Sequence, residues 1–86
     1  MARSIKGKSV CVVGGAGFLG SHLVEHLIKD KDCLVLVIDN LASGRREFVH
    51  PDADFLHMDI TGSESDLKAA FINYNIQYVF NYAACP

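Results

Sequence analysis

Apolar and polar positions follow one another in short blocks that predict four β-strands and two α-helices. Two apolar runs rich in β-branched residues, at residues 8–13 and 33–38, predict strands that are buried on both faces. Weaker runs at residues 53–58 and 76–83 predict a third and a fourth strand. The polar stretch 40–51 contains Ser43-Gly44 and predicts a loop with at most one helical turn.

Two connecting segments have the apolar periodicity of amphipathic helices. In the segment 18–29 the apolar positions recur at helical spacing, at Leu19, Leu23, Val24, Leu27 and Ile28. The second helix is predicted to begin near Ser63, which has capping-box spacing to Asp66. Its apolar face would consist of Leu67, Ala70, Phe71 and Tyr74.

Buried strands that alternate with helices predict an α/β fold, namely a Rossmann-type parallel sheet with right-handed crossovers and helices on both faces. We expect the strand order 3-2-1-4. At 86 residues the chain has room for one small domain, residues 1–86. Because a doubly wound sheet normally continues beyond a fourth strand, we expect a truncated fragment without the catalytic and substrate-binding remainder.

The glycine-rich turn between the first strand and the first helix has the spacing of a dinucleotide-binding loop. Gly15, Gly17 and Gly20 give G-x-G-x-x-G, and Gly14, Gly17 and Gly20 give G-x-x-G-x-x-G. In such loops the first glycine permits a tight turn, the second lets a pyrophosphate approach the backbone, and the third lets the helix pack against the strand. The helix N-terminus would present N–H groups and partial positive charge to the phosphates.

An acidic residue stands where the second strand ends. Asp39 follows Gly20 by 19 residues, and a carboxylate at such a position accepts hydrogen bonds from the ribose hydroxyls and repels a 2′-phosphate. The pattern therefore predicts NAD rather than NADP as the cofactor. Arg45 and Arg46 favour the opposite choice, because an arginine nearby can hold a 2′-phosphate.

Four segments resemble the extended short-chain dehydrogenase/reductase family, and more narrowly its nucleotide-sugar epimerases and dehydratases of the UDP-glucose 4-epimerase type. These segments are GGAGFLGSHL, VIDNLASGRRE, FLHMDITG and VFNYAA, and the resemblance extends from about Ser9 to Pro86. The resemblance implies an NAD(H) site. Its pyrophosphate would be bound by Gly14, Gly17, Phe18, Leu19 and Gly20, and its adenosine ribose by Asp39 and Asn40, with Ser43 and Gly44 nearby. The adenine would lie against Asp59 and Ile60, and the path to the nicotinamide would be lined by Tyr82, Ala83 and Ala84.

The chain departs from the family pattern in two respects. Asn81 stands where most members carry histidine, and no tyrosine is followed four residues later by lysine, so the family's catalytic Tyr-x-x-x-Lys pair is absent from the sequence. Without that lysine to lower a phenol pKa, we expect no turnover from this chain alone. The alternative to the enzyme-fragment hypothesis is a stand-alone, non-catalytic dinucleotide-binding or sensing module.

Charge and composition exclude several other classes of protein. The net charge is −2 and the only basic cluster is Arg45-Arg46, which is too small for nucleic acid. No apolar run approaches the roughly 20 residues of a membrane span. Three cysteines without a Cys-x-x-Cys spacing indicate a reducing, cytoplasmic setting.

A metalloprotease-like H-x-x-E-H pattern runs from His22 to His26 on the first predicted helix. The leucine stripe leaves both histidines on the solvent side, and no third ligand is indicated, so we predict no metal site.

The fourth strand is expected to lie exposed at the edge of the sheet. Tyr78, Phe80 and Tyr82 would face one side, and Val79 and Ala83 the other. Since an unpaired edge strand is a template for pairing, we expect the chain to self-associate along this edge.

Overall fold

A computed structural model describes residues 5–41, 44–59 and 64–82 of the chain. The strands and helices are, in chain order, β1 (Ser9–Val13), α1 (Phe18–Lys31), β2 (Leu34–Asp39), β3 (Asp54–His57), α2 (Glu64–Asn73) and β4 (Tyr78–Asn81). One turn of 3-10 helix, Arg46–Phe48, lies between β2 and β3. The predicted elements and their order are confirmed, including the single helical turn in the polar loop.

The four strands form one parallel sheet in the order β3-β2-β1-β4, which confirms the predicted order. The central strand β1 places Cys11 level with Leu36 of β2 and with Val79 of β4. The crossover from β1 to β2 and the crossover from β3 to β4 run in opposite directions along the sheet. Because such crossovers are right-handed, the helices α1 and α2 lie on opposite faces.

The face of the sheet beneath α1 carries the larger of two apolar clusters. Its buried members are Val10, Val12, Ala16, Val24, Leu27, Cys33, Val35, Val37 and Val49. Alternate residues of β1 and β2 supply this face because successive side chains of a strand point to opposite sides. From α1 the residues Val24 and Leu27 reach into the cluster, as the predicted apolar stripe requires.

The opposite face packs against α2 in a smaller cluster. Cys11, Val13, Leu36 and Ile38 point to this side, and Ala70 of α2 is buried against them. Leu67 and Phe71 are partly buried in the same cluster, as predicted from their spacing. Both β1 and β2 are therefore buried on two faces, which explains their continuous apolar sequences.

Two residues of the predicted helical stripes are not buried. Leu19 is 62% exposed because it lies in the first turn of α1, above the carboxyl end of β1 and beyond the layer that Val24 and Leu27 cover. Tyr74 is 37% exposed because α2 ends at Asn73, although the Tyr74 N–H still donates to the Ala70 carbonyl oxygen at 3.0 Å. The predicted capping residue Ser63 lies outside the described residues.

The strand β4 lies at one margin of the sheet. Tyr78 and Phe80 pack against the cluster beneath α1, whereas Val79 points to the other face and is 48% exposed. Within the described part of the chain, β4 pairs with β1 alone. None of the described helices is long and apolar enough to cross a membrane.

Candidate functional site

The loops that carry the predicted site residues begin side by side at the carboxyl edge of the sheet. The Gly14 N–H donates to the Ile38 carbonyl oxygen at 2.7 Å, and the Tyr82 N–H donates to the Val13 oxygen at 2.7 Å. Between β1 and β4 the direction of the strand order reverses. In open α/β sheets, ligands bind outside the carboxyl ends of the strands at such a reversal.

Two of the predicted glycines are required by the geometry of the turn itself. Gly14 has a φ of +84°, in the left-handed region that favours glycine. A Cβ placed on Gly20 would lie 2.3 Å from the Gly14 carbonyl oxygen and 2.9 Å from the Gly15 Cα. The absence of a side chain at Gly20 therefore lets α1 approach the end of β1.

Gly17 differs from these glycines because nothing in the described part of the protein requires it. Its φ of −83° and ψ of 175° are open to any residue. A Cβ at Gly17 would meet only the Gly14 oxygen, at an ordinary contact distance of 3.4 Å. The space beside Gly17 is thus open to a group from outside the chain.

The N-terminus of α1 is suited to an anionic group. Gly17 is the N-cap residue and provides no side-chain cap, and the first turn contains no acidic residue. The first helical hydrogen bond is donated by Ser21 to the Gly17 carbonyl oxygen at 2.9 Å. The preceding N–H groups, those of Phe18, Leu19 and Gly20, belong to the turn that has no intrahelical partners. These donors and the helix dipole favour an anion at this position.

Gly15 has a structural role that the predicted site did not include. A Cβ on Gly15 would lie 2.8 Å and 3.0 Å from the two methyl carbons of Val37 and 3.2 Å from the Val12 oxygen. Gly15 therefore lets the turn lie against β2. The G-x-G-x-x-G spacing, which begins at Gly15, is the feature of the sequence that could have indicated this contact.

Asp39 is the one charged residue in the described part of the chain that is buried, with 8% of its surface exposed. Its Oδ2 accepts a hydrogen bond from the Ala16 N–H at 3.0 Å, and its Oδ1 accepts one from the Leu41 N–H at 2.8 Å. The carboxylate at the end of β2 thus reaches into the glycine turn after β1. Each oxygen keeps acceptor capacity for one further donor.

The loop that follows β2 also contacts Ala16 through its backbone. The Arg45 N–H donates to the Ala16 carbonyl oxygen at 3.0 Å. A Cβ at Gly44 would lie 2.7 Å from both the carbonyl carbon and the oxygen of Ala16. Sequence reasoning placed Gly44 near the ribose, and the structure brings it against Ala16, a residue that sequence reasoning did not single out.

The two arginines after Asp39 both lie over aromatic rings. The Arg46 guanidinium carbon is 4.5 Å from the centroid of Phe55, and that of Arg45 is 6.0 Å from the centroid of Phe48. Such cation–π contacts are worth about 0.5–1 kcal/mol at exposed sites. Each of the two guanidinium groups therefore has an aromatic partner within the chain.

Similarity to known proteins identifies the family of this chain. The sequence model of the NAD dependent epimerase/dehydratase family matches residues 10–86. This chain belongs to that family. The cofactor predicted from the glycine turn and Asp39 is the one on which the family depends.

Known members of the epimerase/dehydratase family match over most of this chain. UDP-glucose 4-epimerase of Streptococcus mutans serotype c is 37% identical over 76 residues, which are 88% of this chain and 23% of that protein. The crystal structure of UDP-glucose 4-epimerase from Thermus thermophilus in complex with NAD has a TM-score of 0.80 and 41% identity, over 88% of this chain and 24% of that chain.

A dehydratase of the family has a similar structure. The crystal structure of dTDP-glucose 4,6-dehydratase from Bacillus anthracis str. Ames in complex with NAD has a TM-score of 0.80 and 28% identity, over 90% of this chain and 27% of that chain. The chain thus spans about a quarter of the length of the family members it matches.

The remaining residues of the predicted site fall into two groups. Asn40, Asp59 and Tyr82 lie just beyond the ends of their strands and are exposed. The Asn40 carbonyl oxygen is 3.1 Å from the Nε2 of His57. The other predicted site residues are outside the described ranges: Ser43, Ile60, Ala83 and Ala84.

The two histidines of the H-x-x-E-H pattern, His22 and His26, both lie on α1. The side chain of His26 is exposed, and its Nδ1 lies 2.7 Å from an Asp30 oxygen. A pocket of about 240 Å³ brings His22 near His50, with Glu25 and Glu47 on its wall. Across residues 5–41, 44–59 and 64–82, no group of His, Cys, Asp and Glu side chains has an arrangement that could hold a metal ion.

Proposed function

We propose that this chain is the NAD(H)-binding portion of a nucleotide-sugar epimerase- or dehydratase-like protein. The observation that carries the proposal is the open space at Gly17, on an uncapped helix N-terminus, next to the buried carboxylate of Asp39. A glycine without an internal steric reason is what a close ligand approach requires.

The pyrophosphate of NAD(H) would lie against the first turn of α1. The N–H groups of Phe18, Leu19 and Gly20 would donate to its oxygens, and the helix dipole adds favourable electrostatics. Phe18 is 73% and Leu19 62% exposed, so their side chains are available to cover a bound dinucleotide.

The ribose of the adenosine half would lie at the end of β2. Asp39 already accepts two backbone hydrogen bonds, and its remaining lone pairs would accept from the 2′- and 3′-hydroxyls. A 2′-phosphate would bring a second negative charge to this buried carboxylate. The Asp39 carboxylate therefore favours NAD over NADP.

The other contacts follow the family resemblance. Asn40, Ser43 and Gly44 would lie near the ribose, Asp59 and Ile60 against the adenine, and Tyr82, Ala83 and Ala84 along the path to the nicotinamide. Bound NAD would supply hydride acceptance from a sugar carbon. The sequence of 86 residues has no Tyr-x-x-x-Lys pair to take the hydroxyl proton, so we propose that this chain alone has no epimerase, dehydratase or dehydrogenase turnover.

Substitution Gly17→Ser separates binding from folding. A Cβ fits at this position, and serine is a better N-cap than glycine because its hydroxyl accepts from first-turn N–H groups. Those N–H groups are the ones that the phosphates need. We expect thermal stability equal to or above wild type, together with an NAD affinity at least about ten-fold lower by calorimetry, since one or two charge-assisted hydrogen bonds are lost. Wild-type affinity for NAD in a folded Gly17→Ser variant contradicts the proposed site.

Calorimetry with both cofactors tests the choice between NAD and NADP. We expect wild type to bind NAD more tightly, and Asp39→Ala to weaken NAD binding and narrow the difference from NADP. NADP binding that equals or exceeds NAD binding in the wild-type chain contradicts the role given to Asp39.

We also propose that the 86-residue chain self-associates along β4. Val79 leaves apolar surface exposed on this marginal strand, and a strand edge with free N–H and C=O groups is a template for pairing. Light scattering across a concentration series should show dimers or larger species, and Val79→Lys should reduce them because a charge opposes edge pairing. A monomer with sharp amide signals at high concentration contradicts this proposal.

A further inference from the structure

The backbone of Ala16 is held on both sides by residues at and after the end of β2. Its N–H donates to the Asp39 carboxylate at 3.0 Å, and its carbonyl oxygen accepts from the Arg45 N–H at 3.0 Å. Ala16 itself has 0% of its surface exposed. The glycine turn and the chain after β2 are therefore joined at one buried residue.

Gly44 is the residue that makes this junction possible. A Cβ there would lie 2.7 Å from the carbonyl carbon and oxygen of Ala16 and 3.0 Å from its Cβ. Contacts under 3.0 Å to backbone atoms require the chain to move. The lack of space beside Ala16 is therefore a reason for glycine at this position.

We propose that Gly44 is a positioning residue for the adenosine half of the site. Its bare Cα lets the backbone at Gly44 and Arg45 lie on Ala16, and this contact fixes the separation between the Asp39 carboxylate and the glycine turn. The two groups that would hold the ribose and the pyrophosphate are then in place before a ligand arrives. This preorganisation lowers the cost of ordering the loops on binding.

The inference rests on the proposed function for the identity of the ligand, while the junction rests on contacts within the chain. A ligand that reaches both Asp39 and the first turn of α1 should depend on Gly44. The dependence should be the same for NAD and for ADP, because ADP contains the adenosine and the pyrophosphate without the nicotinamide ribose.

The test compares Gly44→Ala with Gly7→Ala. Gly7 has a φ of +75° with no atom within 4 Å of an added Cβ, so alanine there strains the backbone without any steric contact. Gly7 precedes β1, at the end of the sheet opposite to the site, and its substitution serves as a control for a general loss of stability.

By calorimetry we expect Gly44→Ala to lower the affinities for NAD and for ADP by a similar factor of about ten or more, which is the equivalent of one or two lost hydrogen bonds. Gly7→Ala should leave both affinities within about two-fold of wild type, a change of less than 0.5 kcal/mol on the scale where about 1.4 kcal/mol is ten-fold. Wild-type affinity of Gly44→Ala for both ligands overturns the proposal.

Amide hydrogen exchange tests the junction without any ligand. In wild type we expect the N–H groups of Ala16 and Arg45 to be protected, and in Gly44→Ala both should exchange faster while the Gly14 N–H, bonded to Ile38, stays protected. If Gly44→Ala does not fold, the wild-type pattern decides, because exchange of Ala16 and Arg45 as fast as that of an exposed amide overturns the junction. A wild-type chain that binds neither NAD nor ADP, although the N–H groups of Ala16 and Arg45 are protected, would contradict both the proposed function and the positioning role of Gly44. The contact between Ala16 and the loop after β2 would still be supported.

Discussion

Replacement of Asp39 by asparagine should destabilise the fold itself, in the absence of any ligand. The two carboxylate oxygens accept separate backbone hydrogen bonds, from Ala16 at 3.0 Å and from Leu41 at 2.8 Å. Asparagine has the same shape but only one acceptor oxygen, so its NH₂ group must face one of the two N–H donors. One backbone donor is then left without a partner.

The size of the effect follows from burial. The donor left unpaired is either the Ala16 N–H, which is fully buried, or the Leu41 N–H, which is half-buried, and such a donor costs about 1–3 kcal/mol. Removal of the negative charge offsets part of this cost, because a carboxylate with only 8% of the residue exposed is itself desolvated. We expect a net loss of about 2 kcal/mol in the free energy of unfolding. For a domain of this size each kcal/mol corresponds to roughly 4–8 °C, so the Tm should fall by about 8–16 °C.

Thermal unfolding followed by circular dichroism measures this change, with Asp52→Asn as the matched control. Asp52 lies on an exposed turn, where the same chemical substitution should change stability by no more than about 0.5 kcal/mol. A Tm for Asp39→Asn within the range of the control would refute the account of Asp39 as a bridge between two loops.

Two further predictions concern the packing beneath the site. Gly20→Ala should lower the free energy of unfolding by about 1–3 kcal/mol in urea denaturation, because the added Cβ would lie 2.3 Å from the Gly14 oxygen. At an ordinary helix position alanine is instead about 1 kcal/mol more favourable than glycine. Stability equal to or above that of the wild type would therefore contradict the close contact. Burial raises the pKa of the Cys11 thiol from 9.0 to about 12, so the unfolded chain loses this proton first as pH rises. The free energy of unfolding should therefore fall between about pH 9 and pH 12. Cys11→Ala should reduce this dependence of stability on pH, and an unchanged dependence contradicts the pKa shift.

The sequence was sufficient for the architecture because the architecture depends on local periodicity. The continuous apolar runs of β1 and β2 indicated strands buried on two faces, and the helical spacing of Val24 and Leu27 indicated the face of α1. Alternation of strands and helices then left a parallel sheet with right-handed crossovers as the consistent topology, and the strand order is β3-β2-β1-β4 as predicted.

The ends of helices and strands depended on information that periodicity does not contain. Leu19 continues the apolar spacing of α1 but is exposed, because the first turn of the helix stands above the end of β1. Tyr74 continues the spacing of α2 but follows the last helical residue. Hydrophobic spacing states which side of a helix can be buried, whereas the length of the neighbouring strands determines how much of that side is covered.

The sequence by itself determined the family, the sheet and the presence of a glycine turn followed by an acidic residue. Only the tertiary structure decided what those residues do within the chain. Asp39 bonds to Ala16 across 23 residues, Gly44 lies against the same residue, and Gly15 is required by Val37 of β2. These contacts join loops that follow different strands, and they depend on how the sheet brings the carboxyl ends of β1 and β2 together. A residue pattern records the type of each side chain, and the approach of two backbones to within a hydrogen bond is a property of the folded chain.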